Sequence, residues 1–311
     1  MELRRVGHTG LRVSALGLGT LTWGRDTDRE DARQLLSDFL DAGGTLIDTA
    51  AHYGDGLAEQ TIGDVIDQLG VRGDVVLASK AGLVEGADGP RIDCSRTCLL
   101  DSLDASLEAL HTDHLELWLL DHFDASVPID ETLSALEVAL RSGRIRYVGV
   151  ANYPAWALAE IACLLPGHGG HLAVIETEYS LLNRSFEGEL TDASAHFGCG
   201  VFAWSPLARG VLTGKYRSHT PPDSRAATPH LRGFVEPYLD ARYAGTIEAV
   251  ARAGEGFGLS AGQVALSWVK DAPGVTSTLL GPRTPGQLAQ LLEVVDFALP
   301  HQIRKALDDV S

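Results

Sequence analysis

Cysteine is scarce. Four residues, Cys94, Cys98, Cys163 and Cys199, spread over 311 positions are too few for a disulfide framework in a chain of this length. Cys94 and Cys98 stand at helical i,i+4 spacing without companion His or Cys at metal-ligand spacing, so they read as free thiols on a helix. Basic residues are also in deficit: 25 Lys and Arg face 42 Asp and Glu, a formal net charge of -17. Binding to nucleic acid or anionic lipid draws on clustered cations, and no basic run interrupts the acidic excess, so both partner classes are set aside. Long apolar runs are missing too. The opening MELRRVGHTGLRVSALGLG holds no uninterrupted apolar stretch of signal-peptide length, and no later window approaches a membrane span. The expected location is cytoplasmic. Gly17, Gly19 and Gly24 lack the GxGxxG spacing of an open dinucleotide-binding sheet, and there is no phosphate P-loop.

With 45% hydrophobic and 22% charged residues, the chain can bury a sizeable core. After a stretch that reads as a short N-terminal hairpin, β-type runs alternate with amphipathic helical runs, the rhythm of parallel strands. Eight runs read as strands: VSALGLG, TLIDTA, VVLASK, LELWLLDHF, RYVGVAN, LAVIETEY, GVFAWSP and TSTLLG. Between them, segments such as 28–43, 95–110, 129–143 and 260–271 place apolar residues at i, i+3 and i+4, with Asp or Ser near several starts and Gly43 and Gly143 closing two of them. Eight β/α units in this length predict one (β/α)8 barrel domain over residues 1–311, with extra helices at the C-terminus. Residues 207–237, rich in proline and poor in periodicity, predict a lid or mobile loop.

In such a barrel the chemistry sits at the carboxyl ends of the strands, and polar residues recur there. Asp48 ends the second strand with Tyr53 in its loop, Lys80 ends the third, Asp121 the fourth and Asn152 the fifth. Glu176 lies in the sixth, Trp204 and Ser205 end the seventh, and Arg283 follows the eighth. A tyrosine beside a lysine that is itself paired with an aspartate makes a proton donor, because the ammonium lowers the phenol's pKa from about 10 towards neutrality. Such a donor is what hydride transfer to a carbonyl from a nicotinamide needs.

The runs LIDTAAHYGDGLAEQTIG, LASK, SGRIRYVGVANY, EYSLLNRSFEGEL, WSPLARGVLTGKY and GPRTPGQL closely resemble the aldo-keto reductases over nearly the whole chain. The likeness is strongest to the branch of potassium-channel β-subunits and bacterial general-stress reductases. It implies an NADP(H)-dependent oxidoreductase of a small organic substrate, with Tyr53 as general acid and Asp48 and Lys80 beside it. It also implies a cofactor held by Thr20, Asn152 and Glu176, by an aromatic stack at Trp204, and by a pyrophosphate loop of Ser205, Leu207, Gly210 and Lys215. Gly281, Arg283, Gln287 and Gln290 match the region around the adenosine and its 2′-phosphate, favouring NADP(H) over NAD(H). Leu21 and Trp23 fall at the mouth, with Trp23 facing substrate.

Three departures stand out. The family usually has His at the end of the fourth strand; here that place falls to Asp121, with His122 one residue later. Alternation puts Leu117, Leu119 and Asp121 on one face and Trp118, Leu120 and His122 on the other, unless a slip or bulge brings His122 inward to the substrate. As a carboxylate, Asp121 would repel a developing oxyanion; kept neutral by burial, it would donate a hydrogen bond to the substrate oxygen. The family's steroid 5β-reductase branch carries a Glu there and reduces a C=C bond conjugated to a ketone. The resemblance implies a ketone or aldehyde substrate, and by that analogy Asp121 adds an enone, for example in nucleotide-sugar or secondary-metabolite chemistry. Glu176 stands where the family has Gln, and Leu291 where it has an Asn that contacts adenine. The alternative function is an NADP(H)-binding regulatory module with little turnover. No metal is expected, since His52 and His122 lack companion ligands. The chain is open to acting alone or as a homo-oligomer.

Overall fold

A computed structural model describes residues 1–86 and 89–311; Ala87 and Asp88, in a loop expected to help shape the pocket, lie outside the described residues. Strands β1 (Leu3–Arg5) and β2 (Arg12–Ser14) form the N-terminal hairpin. Strand β3 (Leu16–Gly19) opens the barrel. The run expected as one strand from residue 13 is therefore two, divided at Ala15, because Ser14 Oγ bonds the Leu16 carbonyl and accepts from the Thr45 amide. Helix α1 (Arg29–Asp41), β4 (Leu46–Asp48), α2 (Leu57–Leu69) and β5 (Val76–Ala81) follow. A two-stranded ribbon, β6 (Leu83–Val84) with β7 (Arg91–Ile92), leads into α3 (Arg96–Ala109) and β8 (Leu115–Asp121). Then come α4 (Ile129–Arg141), β9 (Ile145–Ala151), α5 (Ala155–Leu164), β10 (Leu172–Glu178), α6 (Glu189–Phe197) and β11 (Gly200–Trp204). The long connection to β12 (Val275–Leu280) carries α7 (Pro229–Val235), α8 (Ala244–Phe257) and α9 (Ala261–Lys270). Helices α10 (Pro285–Leu292) and α11 (His301–Asp308) follow the last strand.

The eight barrel strands, β3, β4, β5 and β8 to β12, pair in parallel in chain order, and the ring closes where Thr278 to Leu280 pair with Leu16 to Leu18. This is a (β/α)8 barrel. Its strands read as nearly continuous apolar runs because both faces are covered. In β8, Leu117 and Leu119 point into the barrel with Leu46, Ala78, Phe202 and Leu279, while Trp118 and Leu120 pack outward under the helices. Full burial of each such side chain stabilises the fold by about 1.5–3 kcal/mol. Val6 and Val13 of the hairpin join the interior cluster and close the amino end. There the hairpin turn sits so close to the start of β11 that a Cβ on Gly7 (φ +50°) would fall inside the Gly198 and Gly200 backbone.

Side-chain caps begin three of the four expected helices: Asp28 accepts from the Asp31 amide, Ser95 from Cys98, and Ser260 with Gln263 forms a reciprocal capping box, while α4 follows Pro128 without one. Cys94 precedes the Ser95 cap, so the two cysteines expected to share α3 do not, and all four thiols are free. Residues 207–237 are less irregular than their sequence implies. Short helical turns and α7 fold them back over the barrel, where His230 meets Asp26 at 3.0 Å. Among the described residues no helix is long and apolar enough to cross a membrane.

Candidate active site

The carboxyl ends of the strands open on one cavity of about 700 Å³. At its floor Lys80, from β5, is buried between two carboxylates: its Nζ lies 2.6 Å from Asp48 Oδ1 and 3.3 Å from Glu176. Burial disfavours the ammonium, but Asp48 and Glu176 outweigh it and hold Lys80 charged. Burial, with Asp48 beside it, lifts Glu176 well above the ordinary carboxylate range, so Glu176 carries the proton of this group. Burial raises Asp48 too, opposed by Lys80 and by the Glu176 hydrogen bond. Tyr53 hangs over this cluster from the loop after β4, with the Lys80 ammonium 5.4 Å from its ring centre. The expected fall in the phenol's pKa is not what this environment produces. Burial raises it above its ordinary value, Asp48, Glu176 and Asp121 add to the rise, and only Lys80 opposes. The phenol is thus held protonated.

Asp121 ends β8 and enters the cavity, as alternation requires. Burial would raise its pKa, but His122, Lys80 and His52 bring it below the ordinary value, so it is an anion rather than a neutral buried acid. Its Oδ1 accepts from Asn152 Nδ2 at 2.9 Å, and Asn152 Oδ1 accepts from Trp204 Nε1 at 3.1 Å, which fixes the amide's orientation. His122 reaches the same cavity without any slip in register. Its backbone is left-handed (φ 71°), which breaks the strand's alternation and turns its side chain to the same side as Asp121. Its Nδ1 lies 2.8 Å from Asp121 Oδ1, close enough for an ion pair though off line for a hydrogen bond. Asn152 and Ser205, after β9 and β11, are left-handed as well (φ 60° and 53°).

Beyond Trp204 the cavity continues along Ser205, Leu207, Gly210 and Lys215, then past Gly281, Arg283, Gln287, Gln290 and Leu291; Thr20 lies on the near wall. Ala208, Arg209 and Gly210 carry three consecutive positive φ angles, a curl of backbone suited to an anion. Lys215, Arg225 and Arg283 converge there. Among the described residues none has a carboxylate within ion-pairing distance; Arg225 bonds the Gly281 carbonyl at 2.7 Å, and Arg283 bonds the Asp223 carbonyl. Burial and the neighbouring guanidiniums lower Lys215, and burial followed by Arg283 brings Arg225 to about 10. A cluster of unneutralised cations is a receptor for phosphate.

The aldo/keto reductase family profile matches residues 15–311. The chain belongs to this family. Its aldo/keto reductase relatives include the Bacillus subtilis (strain 168) protein called uncharacterized oxidoreductase YrpG, 36% identical over all of this chain and 96% of its own length. The L-glyceraldehyde 3-phosphate reductase of Escherichia coli K12 is 32% identical over 95% of this chain and 88% of its own. A probable voltage-gated potassium channel subunit beta of Oryza sativa subsp. japonica is 31% identical over 95% and 92%.

One residue expected at the substrate face of this aldo/keto reductase, Trp23, does not line the cavity. The turn built by Trp23 N to Thr20 O and Gly24 N to Thr27 O tucks its indole into the core, fully buried, and Arg25 takes the wall instead. Sequence reasoning also missed Arg225, Arg209, Phe234 and His230, all on the irregular 207–237 segment, and His52 as a cavity residue. Arg209 pairs with Glu178 and lies 3.9 Å from the Phe234 ring centre, while Phe234 is nearly parallel to Trp204, with ring centres 6.4 Å apart. Only the collinear WSPLARG run pointed towards any of these.

Proposed function

We propose that this oxidoreductase is an NADPH-dependent reductase of a small carbonyl compound, acting on its C=O bond or on a C=C bond conjugated to it. One observation carries the reading: a single cavity runs from Tyr53, Lys80 and Asp48 to the cations Lys215, Arg225 and Arg283, which among the described residues have no ion-pair partner. The donor set fits the cofactor. Lys215 and the curl at Ala208–Gly210 suit a pyrophosphate, and two guanidiniums suit a 2′-phosphate, which only NADP(H) carries. Ser205 and Leu207 would flank the former, Gly281, Gln287 and Gln290 the adenosine, and Thr20 the inner wall.

Bound NADPH supplies the hydride. Trp204 would offer a ring face to the nicotinamide, and Asn152 and Glu176 would be its carboxamide partners; Glu176, whose one proton is turned to Asp48, would accept the amide protons. Tyr53, held protonated, gives its proton to the substrate oxygen while Lys80 steadies the phenolate that remains. As an anion, Asp121 does not serve as the neutral donor that burial alone would make it. Small aldehydes and ketones suit the pocket, as the name of the Escherichia coli relative suggests, and nucleotide-sugar or secondary-metabolite enones remain within the same chemistry.

The test mixes purified protein and NADPH with panels of aldehydes, ketones and enones and follows nicotinamide absorbance. Substrate-dependent oxidation is expected, falling about 10²- to 10⁴-fold in Tyr53→Phe. Tight NADPH binding with no oxidation across the panels would refute it in favour of a regulatory NADP(H)-binding module.

A further inference from the structure

We propose that His122 is a second acid of the site, oriented by Asp121, which protonates the anion left by hydride addition. The inference rests on the reductase reading above. Its basis is geometric. The Nδ1 edge of His122 is closed to solvent and faces Asp121 Oδ1 at 2.8 Å, while the side chain as a whole keeps 41% of its surface exposed. The open edge is therefore the Nε2 side, and His122 lines the cavity. A carboxylate on one ring nitrogen with the other facing substrate is how an imidazole is aimed for proton transfer.

The carboxylate itself is pinned. Asn152 Nδ2 donates to the same Oδ1, and His52 Nδ1 lies 3.9 Å from Oδ2. Asp48, Tyr53, Lys80, Glu176, Arg25, Glu85 and His230 line the same cavity, and Cys94 Sγ donates to the His122 carbonyl at 3.8 Å; among the described residues only Asp121 forms an ion pair with His122. That contact raises the imidazole above its ordinary pKa. His52 is different: burial drives it down to about 4, so it is neutral and cannot take this part.

The step balances. Hydride from NADPH forms the new C–H bond, and the π pair moves to the substrate oxygen. The His122 Nε2–H bond then breaks, and its proton goes to the α-carbon of the enolate formed from a conjugated C=C substrate, while Tyr53 hydrogen-bonds the oxygen and keeps its own proton. Neutral His122 regains a proton from water at the mouth. Tyr53 and His122 line one cavity, so a conjugated C=C substrate, which needs its oxygen polarised and its carbon protonated, would use both groups.

Two measurements test it. In the cofactor-free protein, the NMR signal that disappears in His122→Gln should titrate above the ordinary histidine value of about 6.5 and fall in Asp121→Asn. A signal that does not move overturns the dyad. With NADPH, para-nitrobenzaldehyde and cyclohexenone as probes, wild-type kcat should decline as pH rises through that titration. His122→Gln should lose this limb and about 10- to 100-fold of kcat near pH 6, more on cyclohexenone than on the aldehyde, with KM little changed. Quenching of Trp204 fluorescence reads NADPH binding separately. Absence of binding overturns the cofactor reading beneath the proposal; binding with a pH profile indifferent to His122→Gln overturns the second acid alone.

Discussion

Replacing Arg283 with Gln should convert an NADPH-selective protein into one that barely distinguishes NADPH from NADH. The guanidinium stands in a cluster with Lys215 and Arg225 that no carboxylate neutralises among the described residues, and its one side-chain bond is to the Asp223 carbonyl. A hydrogen bond to a charged group contributes about 1.5–3 kcal/mol. Arg283 is only half-buried, so solvent screening places the loss near the lower end of that range. At 1.4 kcal/mol per tenfold change, NADPH should bind about 10- to 30-fold more weakly. NADH, which has no 2′-phosphate, should change by less than about threefold, within the small effect of a partly exposed surface substitution. Fluorescence titration with both cofactors at two salt concentrations measures this, and wild-type NADPH affinity should fall more steeply with salt than NADH affinity. Equal losses for the two cofactors, or a wild type that prefers NADH, would refute the reasoning.

Lys80→Met leaves Asp48 and Glu176 buried without their cation, so stability should fall by about 3–5 kcal/mol in urea unfolding; a loss under about 1 kcal/mol would mean the carboxylates simply share a proton. Glu176→Gln should stabilise the protein increasingly above the ordinary glutamate value of about 4.3. Folded Glu176 keeps its proton where the unfolded chain has lost it, so wild-type stability declines as pH rises through that window, and Gln is spared the decline. Melting curves from pH 4 to pH 8 check this, and a pH-independent difference would count against a protonated Glu176. His230→Ala removes the contact between the folded-over segment and Asp26. Because His230 is exposed, melting should change by less than about 1 kcal/mol, while stopped-flow release of NADPH quickens; an unchanged release rate would show that the contact does not restrain the segment.

The barrel was legible because its strands are apolar on both faces and separated by amphipathic helices, two local signals that survive without tertiary context. The strand-end set of Asp48, Lys80, Asp121, Asn152, Glu176 and Trp204 was legible for the same reason: position in a strand fixes which end a residue occupies. Arg225 was not, since its place depends on the Gly281 carbonyl 56 residues away, and nothing in an aperiodic segment announces such a partner. Trp23 failed because a turn of a few hydrogen bonds decides whether an indole faces in or out. The phenol's acidity failed for a longer-range reason. Lys80 alone argues for a lower value, but burial, with Asp48, Glu176 and Asp121 adding to it, reverses it, and sequence spacing neither measures burial nor sums charges across a barrel.

A strand that ends in regular geometry offers its cavity one side chain from its last pair. The positive φ angle at His122 lets β8 offer two, Asp121 and its neighbour. The cost of about 1 kcal/mol for a left-handed non-glycine residue is small beside what the extra group can contribute. A barrel edged in this way can exchange the duties of adjacent residues by point substitution while its strand register stays fixed, so new chemistry can arise at the rim without the scaffold being rebuilt.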